Sequence, residues 1–274
     1  ALIEADKVGG TCLHRGCIPT KALLHSAEIA DGAREGSHFG VKSTFDGIDM
    51  AGVNAYKDGV INKLHKGLSG LVKSRNITYI EGYGKLVGKD TVEVNGTRYT
   101  GKNVILETGS YAKTLPGLEI DGEKIITSDH GTKMSYVPKS VIVLGGGVIG
   151  CEFASVWKSF GAEVTIIEGL PHLIALEDES SSKQLERAFR KRGINFELGV
   201  RFQSAVKTAD GVTVTLEDGK SFSAEILMVS VGRGPVSANL GYEEQGIAMD
   251  RGYVLVDDKC RTNVPGIWAV GDLI

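Results

Sequence analysis

Apolar positions recur with two spacings along the 274-residue chain, and the spacing separates helices from strands. Residues 19–33 read as a helix. Residues 50–73 read as a longer one, with Val53, Val60, Ile61, Leu64, Leu68, Leu71 and Val72 on a stripe expected to face a core. Short runs at 77–81, 91–94 and 103–108 have strand character, so the first block is mixed α and β. The polar, proline-containing stretch 115–138 is expected to cross between domains, with Ile125 and Ile126 as candidates for packing.

A new unit then starts. Residues 140–144 form a strand of the buried type, 148–160 a helix, 163–168 a strand and 180–192 a helix, an order that implies a parallel sheet. The segments 194–198, 204–208, 212–216 and 221–222 follow. Asp210-Gly211 and Asp218-Gly219 between them are hairpin turn signals, which predict a small antiparallel insertion. Residues 253–256 and 267–270 return to strand character before the chain reaches Ile274.

Composition narrows the functional classes. Lys and Arg total 31 against 34 Asp and Glu, so no broad positive field exists to attract nucleic acid or anionic lipid. No segment is apolar for the roughly 18 residues a membrane span needs, because the best candidate, 141–156, is broken by the glycines at 145–147 and by Glu152. The opening Ala-Leu-Ile-Glu does not read as a secretory signal but as a chain already under way. Four cysteines in this length are not a disulfide scaffold, and Cys151 and Cys260 have no close sequence partner, so a cytoplasmic protein is expected.

Gly145-Gly146-Gly147-Val148-Ile149-Gly150 fits G-x-G-x-x-G, follows a predicted strand and opens a helix. Gly145 permits the tight turn, Gly147 lets backbone amides approach a pyrophosphate, and Gly150 lets helix and strand pack closely. Glu168 closes the next strand 18 positions after Gly150, where a carboxylate accepts bonds from ribose hydroxyls and repels a ribose phosphate. NAD is therefore expected in preference to NADP.

Cys12 and Cys17 are separated by four residues in Gly-Gly-Thr-Cys-Leu-His-Arg-Gly-Cys-Ile-Pro-Thr-Lys. Pro19 suits the first turn of a helix and would place Cys17 at or just before its N-terminus, where amides and dipole favour a thiolate. A disulfide closing so short a loop adds little stability, which favours redox exchange as its purpose. Zinc is the alternative, but no second Cys or His pair at ligand spacing completes four ligands. Two unrelated thiols are compatible with composition alone.

This stretch resembles the redox motif of the class I pyridine nucleotide-disulfide oxidoreductase family, and most closely its lipoamide-oxidising members. The resemblance extends through Thr108-Gly109-Ser110, the fingerprint with Glu152, Val231-Gly232-Arg233 and Ala269-Val270-Gly271-Asp272. It implies an α/β fold with two Rossmann-like, doubly wound nucleotide-binding domains. The FAD domain would span 1–120 and resume at 249–274, with an NAD domain at 121–248 inserted. It also implies that Cys17 faces the flavin, that Cys12 exchanges with the substrate disulfide, and that Lys21 pairs with Glu152 near the flavin. Glu4 would bind the adenosine ribose of FAD. Gly10, Thr11, Lys21, Gly84, Thr108, Gly109, Ser110, Gly232, Arg233 and Asp272 would line the rest of that site, and Gly145, Gly147, Val148, Ile149, Gly150 and Glu168 the NAD site. The activity implied is oxidation of dihydrolipoamide through FAD to NAD, with lipoyl domains of 2-oxo acid dehydrogenase complexes and a second copy of the chain as partners. A mercuric, glutathione or mycothiol disulfide reductase shares the cysteine loop, although Leu13 and Ala22-Leu23-Leu24 favour lipoamide.

Three departures from the family qualify that reading. The histidine base expected near the C-terminus is absent, and neither His14 nor His25 matches it. The FAD fingerprint expected about 20 residues before Glu4 is also absent, so the chain reads as a segment of a longer protein and, in isolation, as an inactive nucleotide-binding fragment. Glu107 stands in an apolar strand where the family has a small residue; it needs a buried partner or must point outward by strand alternation.

Overall fold

The computed structural model describes residues 1–274. Its helices are α1 (Gly10–Arg15), α2 (Cys17–Glu35), α3 (Met50–Ser74), α4 (Ser128–Gly131), α5 (Val148–Phe160) and α6 (Glu179–Arg192). None is long and apolar enough to cross a membrane. The chain forms two compact units. One comprises Ala1–His14, Asn62–Tyr111 and Arg233–Ile274, and the other Arg15–Ile61 and Ala112–Gly232.

In the second unit five parallel strands lie in the order Asn195–Leu198, Glu163–Glu168, Ser140–Leu144, Ile226–Val229 and Ile125–Thr127. Taken from Ser140, the first four have the 3-2-1-4 order of a doubly wound nucleotide fold. Side chains alternate between the sheet's two faces, and both faces are buried, which is why the strands read as continuous apolar runs. Val141, Val143, Ile166, Ile226 and Met228 join Leu23 and Ala27 of α2 and Phe153, Val156 and Trp157 of α5 in one core. Ile142, Leu144, Ile167, Leu227 and Val229 join Val212, Val214 and Leu216 in a second. The latter three belong to the antiparallel piece Phe202–Lys207, Val212–Leu216 and Ser221–Ala224, as the two Asp-Gly turns predict.

In the first unit Leu2–Glu4 pairs in parallel with Tyr79–Glu81, and Ile267–Ala269 with Val104–Leu106. Lys85–Gly88, Thr91–Val94 and Thr97–Thr100 form a three-stranded antiparallel sheet. Leu86, Leu106, Tyr242, Val254, Ile267, Ala269 and Leu273 make its core.

Three expectations change. The stretch 115–138 is not a plain crossing: Ile125–Thr127 is a fully buried strand of the parallel sheet and leads directly into α4. The α3 stripe is core only at its start: Val53 packs against the core of the parallel sheet, whereas Leu64 and Leu71 are exposed and the helix's one fully buried residue is Lys57. Its ammonium is held by the carbonyl of Thr132 at 2.6 Å and by Asn54 at 2.8 Å. Finally, residues 15–61 group with the parallel sheet rather than with 1–14, because α2 sends Leu23 and Ala27 into the core that α5 builds.

Candidate functional site

The glycine turn has the shape its spacing predicts. Gly145 has a φ of 107°, and a Cβ there would lie 2.4 Å from the carbonyl oxygen of Ser230. At Gly150 a Cβ would come within 2.0 Å of the Gly145 oxygen, so only glycine lets helix and strand meet. Gly147 differs: it caps α5 in an extended conformation with no side-chain cap, and a Cβ there would meet nothing within 4 Å. Val148 and Ile149 form the first turn of α5, with Val148 exposed. The first turn of this 13-residue helix has no side-chain cap, and the space beside Gly147 is open, an arrangement that fits a pyrophosphate.

Glu168 ends its strand with both carboxylate oxygens anchored, one accepting from the N–H of Gly146 at 2.6 Å and the other from that of Leu170 at 2.8 Å. Each oxygen keeps a second lone pair, so the group is oriented and still able to accept hydroxyl donors. Beneath the turn, Cys151 is buried with its thiol directed at the Gly146 oxygen, 3.3 Å away. Burial, reinforced by the charges of Glu168 and Glu152, pushes that thiol up to about 12.

Cys17 is the first residue of α2, and Pro19 lies in its first turn. Gly16 caps the helix through its carbonyl, which accepts from the N–H of Thr20 at 3.1 Å and its hydroxyl at 2.7 Å. Lys21 lies one turn beyond Cys17, on the same face. Its ammonium donates to Glu152 Oε1 of α5 at 2.7 Å, joining residues 131 positions apart. Both cysteines of the pair are exposed. The unit boundary after His14 falls between them, and Cys12 belongs with Gly10 and Thr11 on α1.

In the first unit, Ser110, Arg233 and Asp272 converge. The Ser110 hydroxyl donates to Asp272 Oδ2 at 2.5 Å, while Arg233 donates to the Ser110 hydroxyl at 2.7 Å and to its carbonyl at 2.6 Å. Arg233 Nε stands 3.8 Å from the Asp272 carboxylate. Thr108 donates to the carbonyl of Val236 at 2.5 Å and lies 3.3 Å from the Tyr242 hydroxyl. Gly109 follows with a φ of 73°, and its carbonyl accepts from the Val236 N–H at 2.9 Å.

Glu4 ends the first strand and accepts from the Asp6 N–H at 2.8 Å. Gly84 has a packing reason, because a Cβ there would meet Val92 and Ile3 at 3.1 and 3.2 Å. Gly232, in the second unit, has a φ of 110° and its carbonyl accepts from Lys113 N–H at 2.9 Å.

A family model described as pyridine nucleotide-disulphide oxidoreductase matches residues 1–274. The chain belongs to this family. A dihydrolipoyl dehydrogenase of Cupriavidus necator is 41% identical over 98% of this chain and 59% of its own length, and one of Bacillus subtilis 39% identical over 100% and 62%. The crystal structure of LpdA from Mycobacterium tuberculosis superposes with a TM-score of 0.90 at 28% identity, covering 99% of this chain and 61% of that one. The chain therefore spans about three fifths of the length of the relatives it matches.

In this member of the pyridine nucleotide-disulphide oxidoreductase family, the histidines of the redox loop have structural surroundings. His14 Nε2 lies 2.9 Å from the Val8 carbonyl, with its ring edge-on to His65, and His25 pairs with Glu28 on the exposed face of α2. Glu107 is exposed and lies just beyond the strand that ends at buried Leu106, so it needs no buried partner. Several contributors escape the family motif. Ser230 donates to the carbonyls of Leu144 and Gly145 at 3.1 and 3.0 Å, while Tyr242 and Val236 hold Thr108. They lie far from the glycines and from Thr108 in sequence, and no spacing rule announces them.

Proposed function

We propose that this chain carries the redox disulfide, the NAD turn and part of the flavin site of a flavoprotein that oxidises dihydrolipoamide with NAD. The observation that carries the reading is the 2.7 Å ion pair between Lys21 and Glu152. It ties the helix that opens at Cys17 to the helix that opens at the glycine turn. These two helices are thereby joined by one side-chain contact within one compact unit.

The residues have distinct tasks. Gly147 and the first amides of α5 would receive the pyrophosphate of NAD, and Glu168 would accept from its ribose hydroxyls. On the flavin side, Ser110, Arg233 and Asp272 form a polar cluster suited to ribityl and phosphate oxygens, and Glu4 would accept from the adenosine ribose. FAD, when bound, supplies two-electron transfer between a dithiol and a nicotinamide. Cys12 would take the substrate thiol in exchange and Cys17 would be the sulfur turned to the flavin, with Lys21 and Glu152 setting the charge beside it. Lipoyl domains of 2-oxo acid dehydrogenase complexes and a second copy of the chain are the proposed partners, in the cytoplasm.

The test is turnover with FAD of the chain beside a form extended at both ends to the length of its relatives, comparing dihydrolipoamide and NAD with glutathione and NADP, alongside Cys12→Ser and Cys17→Ser. Oxidation of dihydrolipoamide by NAD in the extended form, abolished by either substitution and far weaker in the chain alone, is expected. Preference for glutathione and NADP, or turnover that survives loss of either cysteine, would overturn the proposal.

A further inference from the structure

Residues 169–178 follow Glu168 and cross the glycine turn, held by contacts that the fingerprint itself does not demand. Ile174 has a φ of 45°, a left-handed conformation that a β-branched residue keeps only when its surroundings impose it. In that conformation its N–H donates to the Gly146 carbonyl at 2.8 Å. Leu173 is fully buried and lies so close that a Cβ at Gly146 would be 2.6 Å from Leu173 Cδ2.

The grip on this segment comes from α6. The residues that α6 buries are Ser182, Glu186 and Phe189, an unusually polar set for an inner face. The two polar ones meet the segment's backbone. Glu186 Oε1 accepts from the Leu173 N–H at 3.2 Å and stands 3.4 Å from His172 Nδ1. The Ser182 hydroxyl donates to the Ile174 carbonyl at 3.4 Å.

A trans peptide directs its C=O and N–H to opposite sides. Holding the Gly146 carbonyl from the side of Ile174 therefore turns the Gly147 N–H the other way. Glu168, accepting from Gly146 N–H, fixes the preceding peptide. Both peptides of the turn are thus set by side chains and backbone beyond the fingerprint.

We propose that Glu186 is a positioning residue for the pyrophosphate of the dinucleotide: through Leu173 and Ile174 it fixes the peptide that presents the Gly147 N–H. This rests on the NAD reading above. Glu186 touches no ligand in this scheme, and its effect is confined to ligands with a pyrophosphate.

The experiment measures binding of ADP-ribose and of adenosine to the full chain, for the wild type and for Glu186→Ala, Glu186→Met and Glu186→Gln. Met retains the volume without the acceptor, which guards against an alanine variant that fails to fold. Gln retains an oxygen able to accept from Leu173. ADP-ribose affinity is expected to fall about tenfold in the Ala and Met variants and to recover to within about twofold in Gln. Adenosine affinity should stay within about twofold throughout. Equal losses for both ligands, or full retention of ADP-ribose binding in Ala and Met, would overturn the role of Glu186. A wild type that binds adenosine but not ADP-ribose would instead sink the NAD reading, and this inference with it.

Discussion

At the scale of single residues, two glycines three positions apart make opposite predictions. Gly150→Ala drives a Cβ to 2.0 Å from the Gly145 oxygen, so a loss of about 1–3 kcal/mol in unfolding free energy is expected. Gly147→Ala meets nothing within 4 Å and should cost under about 1 kcal/mol, while weakening NAD binding by crowding the pyrophosphate. Denaturant titration with NAD binding on the same samples separates them; equal destabilisation would contradict the geometry. The cysteines divide just as sharply. Cys151, pushed up to about 12, should resist iodoacetamide at pH 8, whereas exposed Cys12 and Cys17 should be labelled. Tryptic cleavage after Arg15 places Cys12 and Cys17 on separate peptides, so mass spectrometry reads each; rapid labelling of Cys151 would contradict its burial. The glycine turn and the helix start at Cys17 were legible in the sequence because a tight turn and a helix N-terminus each demand particular residues at a fixed spacing. Glu186 and Ile174 were not, since a buried carboxylate and a left-handed isoleucine are imposed by packing from outside their own segments.

At the scale of elements, the Lys21–Glu152 pair links α2 to α5 with little contribution to stability. Lys21 is 57% exposed, and such pairs are worth under about 1 kcal/mol. Glu152→Gln should therefore leave thermal unfolding nearly unchanged while lowering turnover of the form extended to its relatives' length about tenfold or more. A melting shift that accounts for the activity loss would make the pair merely structural. The turn before the Ile125–Thr127 strand offers a pH test. Burial acts to raise Asp121, but the N–H groups of Ile125, Glu123 and Lys124 and the Lys207 ammonium outweigh it and hold the carboxyl at about 2, below the ordinary 3.8. A depressed folded value stabilises above 3.8 and is lost as pH falls through about 2. Asp121→Ala should cost about 1 kcal/mol at neutral pH, with the difference vanishing in that acid window. A difference that stays constant down to pH 2 would refute the charge-based cap. That strand itself was hard to read, because three residues flanked by turn formers give too short a period, and Ile226–Val229 was missed for a similar reason. The α3 periodicity was readable as a helix but misleading about burial, since Lys57 is what it buries.

At the scale of the molecule, membership of the pyridine nucleotide-disulphide oxidoreductase family rests on a match across residues 1–274, and the proposed chemistry on the cysteine loop, the glycine turn and the ion pair between their helices. The most direct test is disulfide exchange on the chain itself. Mild oxidation should join the tryptic peptides that carry Cys12 and Cys17, and dihydrolipoamide should release them at lower concentration than glutathione does. Absence of the joined peptide after oxidation, or release by glutathione alone, would contradict a lipoamide-linked redox disulfide.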